Sequence, residues 1–274
     1  AFNASLLILS LPFCKALSGP FERLLPDRKP ESAAPEFARP VSALKQNEAS
    51  AVNQALPSLK RELLRMADLV EAMFRPSLQL YHDGDRGQIK AVQAMDLEVN
   101  ECLSGIRRFV ASLPVEELGK ESSNVARNLL EYAVRLETAG DVVAKRLTVL
   151  ADELGRSGNR LSKEGWGELQ ELHENILGNM KLAANVLISD DLESARLLNL
   201  EKTEIKRAER NSRKRHYRRL QAGQGQSFET SDIHLETLRA FRDFNSHISS
   251  VATPILYASG QLLETRLIED MPPA

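Results

Sequence analysis

From Leu56 onward the chain places apolar residues at intervals of three and four, the spacing that lines one face of an α-helix. Leu59, Leu63, Met66, Val70, Met73 and Leu80 form a first stripe, and Ile89, Val92, Met95, Val99, Cys102 and Ile106 a second. Leu129, Ala133, Leu136, Gly140, Val143, Leu147, Leu150 and Leu154 form a third. Three more follow: Leu169, Leu172, Ile176, Met180, Ala183 and Leu187; Ala195, Leu198, Ile205 and Ala208; Leu238, Phe241, Asn245, Ile248, Ala252 and Ile255. Helix breakers separate the stripes at Asp83-Gly84-Asp85, Pro114, Gly155/Gly158, Ser189-Asp190-Asp191 and Gly223/Gly225. The pattern predicts an all-α protein with six long helices.

The six are two sets of three. A shift of about 106 residues carries Leu63 to Leu169, Met66 to Leu172, Val70 to Ile176, Val92 to Leu198, Val99 to Ile205 and Asp85 to Asp191. In the third helix the shift is about 105, carrying Leu136 to Phe241, Gly140 to Asn245 and Val143 to Ile248. A duplicated unit of this kind buries its stripes within each copy and against the other. The predicted helical domain is 56–258, with repeat one at 56–155, repeat two at 162–258 and a tail at 259–274.

Proline sharpens these bounds. Six of the 12 prolines precede residue 41 and none lies between 115 and 253, which fits uninterrupted helices, because an interior proline costs about 3 kcal/mol. Residues 27–55 read as a stiff linker. The apolar run Leu6-Leu7-Ile8-Leu9-Ser10-Leu11-Pro12-Phe13 is too short to cross a bilayer alone. A signal peptide would need a positive start and an Ala-x-Ala site, and a lipoprotein signal ending at Cys14 would need a small residue where Phe13 stands. A third reading, beside these two, makes residues 1–26 the end of a membrane helix.

Composition adds exclusions. With 36 basic and 38 acidic residues the net charge is −2, which does not nominate nucleic acid as a partner. Two cysteines make no disulfide framework. There is no H-E-x-x-H, C-x-x-C, phosphate-binding glycine loop or G-x-S-x-G, and the five histidines lack ligand spacing, so no enzyme is predicted.

Two constellations remain. Glu137 and Asp141, four apart, put two carboxylates on one helix face beside Gly140, and Asp96 and Glu98 on the second helix are candidates to complete a cation site. Such acidic pairs also occur on ordinary solvated faces. The basic run from Lys206 to Arg219 offers Arg213, Lys214, Arg215, Arg218 and Arg219 to an anionic partner, or else forms the exposed face of the fifth helix. Trp166 reads as an anchor packed on the loop between repeats. Asn245 and His247 read as a polar seam that sets helix register.

The stretches Arg61-Glu62-Leu63-Leu64-Arg65-Met66-Ala67, Leu136-Glu137-Thr138-Ala139-Gly140-Asp141 and Phe244-Asn245-Ser246-His247-Ile248-Ser249-Ser250-Val251-Ala252-Thr253-Pro254-Ile255-Leu256 resemble a PhoU-type domain. More particularly, they resemble the PhoU-like tail of bacterial sodium/phosphate cotransporters. The resemblance covers about residues 50–258 and implies a non-catalytic regulatory or structural domain on the cytoplasmic side of the inner membrane. It implies as partners an upstream transporter domain, the membrane surface, phosphate-signalling proteins or a second copy of the chain. An alternative is a soluble PhoU-like adaptor that binds metal. PhoU proteins carry an E-x-x-x-D motif in each repeat that holds iron or zinc. Here Glu137 and Asp141 keep it, whereas the second repeat has Arg242 and Ser246, and Asp96 is matched by Lys202. At most one iron or zinc site is therefore implied, with Arg242 placed to fill the space of the second.

Overall fold

The computed structural model describes Ser42, Leu44 and residues 52–262. The apolar run before Pro12, most of the proline-rich segment and the end of the tail lie outside the described residues. Among those described there is no strand, and no helix is long and apolar enough to cross a membrane.

The six long helices are present. In the first half they are α1 (Val52–Phe74), α3 (Arg86–Ala111) and α4 (Val115–Asp141), with the short α2 (Ser77–Asp83) between the first two. The third helix runs on through a π-helical segment, Val142–Leu147, into α5 (Thr148–Ser157). The second half contains α6 (Lys163–Ser189), α7 (Leu192–Gln221), the short α8 (Gly225–Glu229) and α9 (Ser231–Ile248). A 3₁₀ turn, Ser249–Val251, leads into α10 (Ala252–Ala258). Each half is a three-helix bundle, and α4 and α1 of the first pack on α9 and α6 of the second.

The caps repeat with the same 106-residue shift. Asp85 accepts from the amides of Gly87 and Gln88 to start α3, and Asp191 accepts from Ser194 N to start α7. Each follows a left-handed residue that ends the preceding helix: Gly84 at φ 60° and Asp190 at φ 52°. Pro57 sits within α1, and Gly119, at φ 75°, bends α4.

The predicted stripes are the core. Of the 36 stripe positions named above, only Met95, Leu150, Ala208 and Ile255 are partly buried, and all the others are buried. The two halves meet at an aromatic cluster in which Phe74 stacks on Phe244 at 4.1 Å and on His173 at 4.7 Å. His173 also bonds the carbonyl of Phe74 through Nε2 at 3.1 Å, so a buried imidazole is satisfied across the interface. Tyr81 and Thr237 add a hydroxyl pair at 3.0 Å.

Candidate functional site

The carboxylates predicted from Glu137 and Asp141 lie where α4 gives way to the π-helical segment. The widened turn carries adjacent side chains in different directions. Lys145 bonds Asp141 and stands 4.0 Å from Asp96 Oδ2, whereas Arg146 reaches the second half and donates to Asp243 Oδ2 at 2.9 Å. Asp96 is buried. Its Oδ2 accepts from Asn100 at 3.2 Å, while Oδ1 has no hydrogen-bond partner among the described residues. Burial raises the Asp96 pKa, the Lys145 ammonium lowers it and the adjacent Asp141 carboxylate raises it, leaving it above the usual carboxylate range. Glu137 is likewise raised, by burial and then by Asp141.

Glu98 does not join this group. Two residues beyond Asp96, it points to another side of α3 and acts on Arg65 and Cys102. The donor set does not fit an iron or zinc ion. Lys145 already supplies a cation between Asp96 and Asp141, and no group of three or more His, Cys, Asp or Glu side chains converges as ligands among the described residues.

The second-half counterparts form no such cluster. Arg242 turns to its neighbour Asp243, donating through Nη2 at 2.8 Å and Nε at 3.2 Å. Ser246 is exposed. Asn245 is buried in the seam and accepts from Asn179 Nδ2 at 3.0 Å. His247, two residues on, is half-buried, and burial, then Arg135, hold its pKa below the ordinary value.

The basic run also divides. Arg219 is buried, so it does not belong to a surface for anions. It donates to Glu168 Oε1 at 2.8 Å, as does Arg215 Nε, and Arg213 pairs with buried Glu209. Lys214 and Arg218 are exposed. The α7 core stripe continues through Ile205, Glu209, Ser212, His216 and Arg219 at intervals of four and three. A search for apolar positions stops at Ala208 and misses it; register alone would have found it.

Glu168 on α6 is the centre of this buried network. Ser212 donates to it, Arg219 and Arg215 bond it, and His234 Nε2 lies 3.6 Å from Oε2. Burial alone would raise its pKa, but the nearby His234 ring and the hydrogen bonds from Arg219, Ser212 and Arg215 outweigh that and hold it far below the carboxylate range. His216 stacks on His234 at 4.8 Å and bonds Ser231 at 2.9 Å; burial, then His234 and Arg219, depress it to about 4. The corresponding acid of the first half, Glu62, is buried too and accepts from Arg65 at 2.5 Å.

Comparison with known proteins places this geometry. Residues 63–145, a stretch that contains Asp96, Glu137 and Asp141, match the PhoU domain. The chain is 33% identical over 202 residues to a Salmonella typhimurium protein named "Putative inorganic phosphate export protein YjbB", and equally so to the protein of that name from Escherichia coli K12. The match covers 74% of this chain but 37% of either relative, so the chain spans little more than a third of their length. Among solved structures it resembles PhoU from Pseudomonas aeruginosa, with a TM-score of 0.66 at 17% identity, covering 77% of this chain and 99% of that one. That likeness carries the fold.

Proposed function

We propose that this chain is the PhoU-like part of a sodium-dependent phosphate transporter, held on the cytoplasmic side of the inner membrane, where it regulates or braces transport without catalysing a reaction. The observation that carries the reading is the 202-residue alignment with relatives named for phosphate export. Those relatives are far longer than the stretch it matches, which leaves room in them for a separate transporting part. Their name favours efflux as the direction of flow. The apolar run before Pro12 and the proline spacing after it suit a tether between a membrane domain and the bundle. Its partners in this reading are the upstream membrane domain, the membrane surface and phosphate-signalling proteins. The alternative of a metal-binding adaptor has less support, because Lys145 already pairs with Asp141 and lies near Asp96.

The test is phosphate release from cells loaded with radiolabelled phosphate, expressing the complete gene with or without codons 56–258. Release that depends on sodium, and responds differently to phosphate load once the bundle is removed, is expected. Sodium-independent release overturns the choice of coupling ion. Release and load response unchanged by the deletion overturn the regulatory role.

A further inference from the structure

At the end of the molecule where the first half hands over to the second, a cavity of 690 Å³ opens beside the loop joining α5 to α6. Its size falls within the range of about 300–1,000 Å³ typical of small-molecule sites. The floor is formed where two backbones approach closely: a Cβ built on Gly155 lies 3.5 Å from the Cα of Gly84. Gly84 is the left-handed end of α2, and Gly158, also left-handed at φ 70°, ends α5 at the rim.

The walls carry three kinds of chemistry. Trp166 is half-buried in the first turn of α6 and lines the cavity, with the His82 ring 6.0 Å away. It is therefore more than an anchor under the loop, the role its sequence position suggests. Arg160 and Lys163 also line the cavity, are exposed, and have no acidic partner among the described residues. The one carboxylate on the wall, Asp83, is already engaged by His82 Nδ1 at 2.9 Å and Gln79 at 2.8 Å. Asn159 and Gln226 add carboxamides, which both donate and accept.

We infer that this cavity binds a nucleoside phosphate, its base stacked on Trp166 and its phosphates held by Arg160 and Lys163. Inorganic phosphate alone would leave the aromatic wall and most of the volume unused. A neutral aromatic ligand would leave both cations on the wall without a counter-charge. An aromatic face beside unpaired cations and amide groups matches the three parts of a nucleotide. The inference is independent of the transport reading, because it uses neither the membrane segment nor the acidic cluster.

Trp166 is the only tryptophan in the chain, so its fluorescence reports on this cavity alone. The experiment titrates the 274-residue chain with ATP, AMP, adenosine and inorganic phosphate in EDTA buffer, with equilibrium dialysis of radiolabelled ATP as the second measurement. Saturable quenching by ATP is expected, with adenosine and inorganic phosphate each at least about tenfold weaker, as loss of a charged or stacked contact predicts. Arg160→Gln and Lys163→Gln should each raise the dialysis Kd about tenfold, and Trp166→Leu by a similar factor. Circular dichroism of each variant confirms that the fold is kept. Absence of saturable ATP binding overturns the proposal, as does ATP binding that all three substitutions leave unchanged. Inorganic phosphate binding as tightly as ATP overturns the nucleoside part.

Discussion

Helices α3 and α7 hold the same place in the two halves, yet they fill their inward positions with opposite chemistry. Late in α3 and the turn after it stand Leu103, Ile106, Val110 and Leu113, apolar side chains that are buried or, at Val110, partly buried against the core. One repeat later the same positions hold Glu209, Ser212, His216 and Arg219, all buried. A core position is thus set by register, and its polarity is free as long as each buried charge meets a partner. The first half meets this condition locally, with Glu62 on Arg65 and Asp96 beside Lys145 and Asn100. The second half spreads it over α6, α7 and α9 through Glu168. The reverse trade occurs at the seam, where the first half has Gly140 and Met73 and the second has the bonded pair Asn245 and Asn179.

The largest expected effect comes from breaking the centre of the polar core. Glu168→Ala leaves Arg219 buried, and Arg215 unpaired beside it, and should cost about 3–5 kcal/mol in urea unfolding. Replacing Glu209, Ser212, His216 and Arg219 by Leu, Ile, Val and Leu gives α7 the apolar inward face of α3, and Glu168→Leu removes the acid that would then be buried without its partners. If register alone defines the core, this five-site variant should be more stable than Glu168→Ala. A five-site variant less stable than the single one would show that the two halves are not interchangeable here.

Much of this fold is legible in the sequence because apolar residues at helical spacing leave little choice of buried face, and the acidic caps and glycine breaks mark where each face ends. The 106-residue shift is readable for the same reason, since Val70 and Ile176 must do the same work. The candidate site was less legible. Glu137, Asp141 and Asp96 do share a corner of the first half, but their own spacing does not reveal that Lys145 lies among them. Lys145 is four residues beyond Asp141, an ordinary i,i+4 ion-pair spacing, and a search for carboxylates alone passes over it. Glu98 was misplaced because neighbours two apart on a helix face different ways. The Glu168 network escaped notice because its members, read singly, look like a solvated basic helix.

Acid offers a second way to separate the halves, since Val110 does not titrate and His216 does. The folded pKa of His216 is about 4, below its ordinary 6.5, so the unfolded chain binds this proton more readily. Its stabilising contribution is full above pH 6.5 and is lost as pH falls toward 4, amounting to about 3 kcal/mol across that window. Glu168, held below its ordinary value, adds stability that is present above the unfolded carboxylate pKa and begins to be lost only as pH falls below it. The groups facing His216 are His234 and Ser231 on α9, Glu168 on α6 and Arg219 on its own helix. Unfolding free energies measured from pH 7 to 4.5 should therefore fall less steeply for His216→Val than for the parent chain. Parallel curves would mean that His216 is already neutral in the unfolded chain or protonated in the folded one.

The seam gives the smallest effect and the clearest sign. A Cβ on Gly140 would sit 3.5 Å from Val99 Cγ1 and 3.9 Å from Asp96 Oδ1, ordinary contact distances, so alanine fits there. Gly140→Ala should raise stability by up to about 1 kcal/mol, because glycine in a helix interior costs that much relative to alanine. The same replacement one repeat later, Asn245→Ala, removes the acceptor of Asn179 and should lower stability by about 1–3 kcal/mol. Thermal unfolding of the two variants decides between two accounts of Gly140. A rise at one seam position and a fall at the other fits a glycine that the packing tolerates. A fall at both would mean that α4 needs the missing side chain, with Asp96 and its unpartnered oxygen as the neighbour that cannot move.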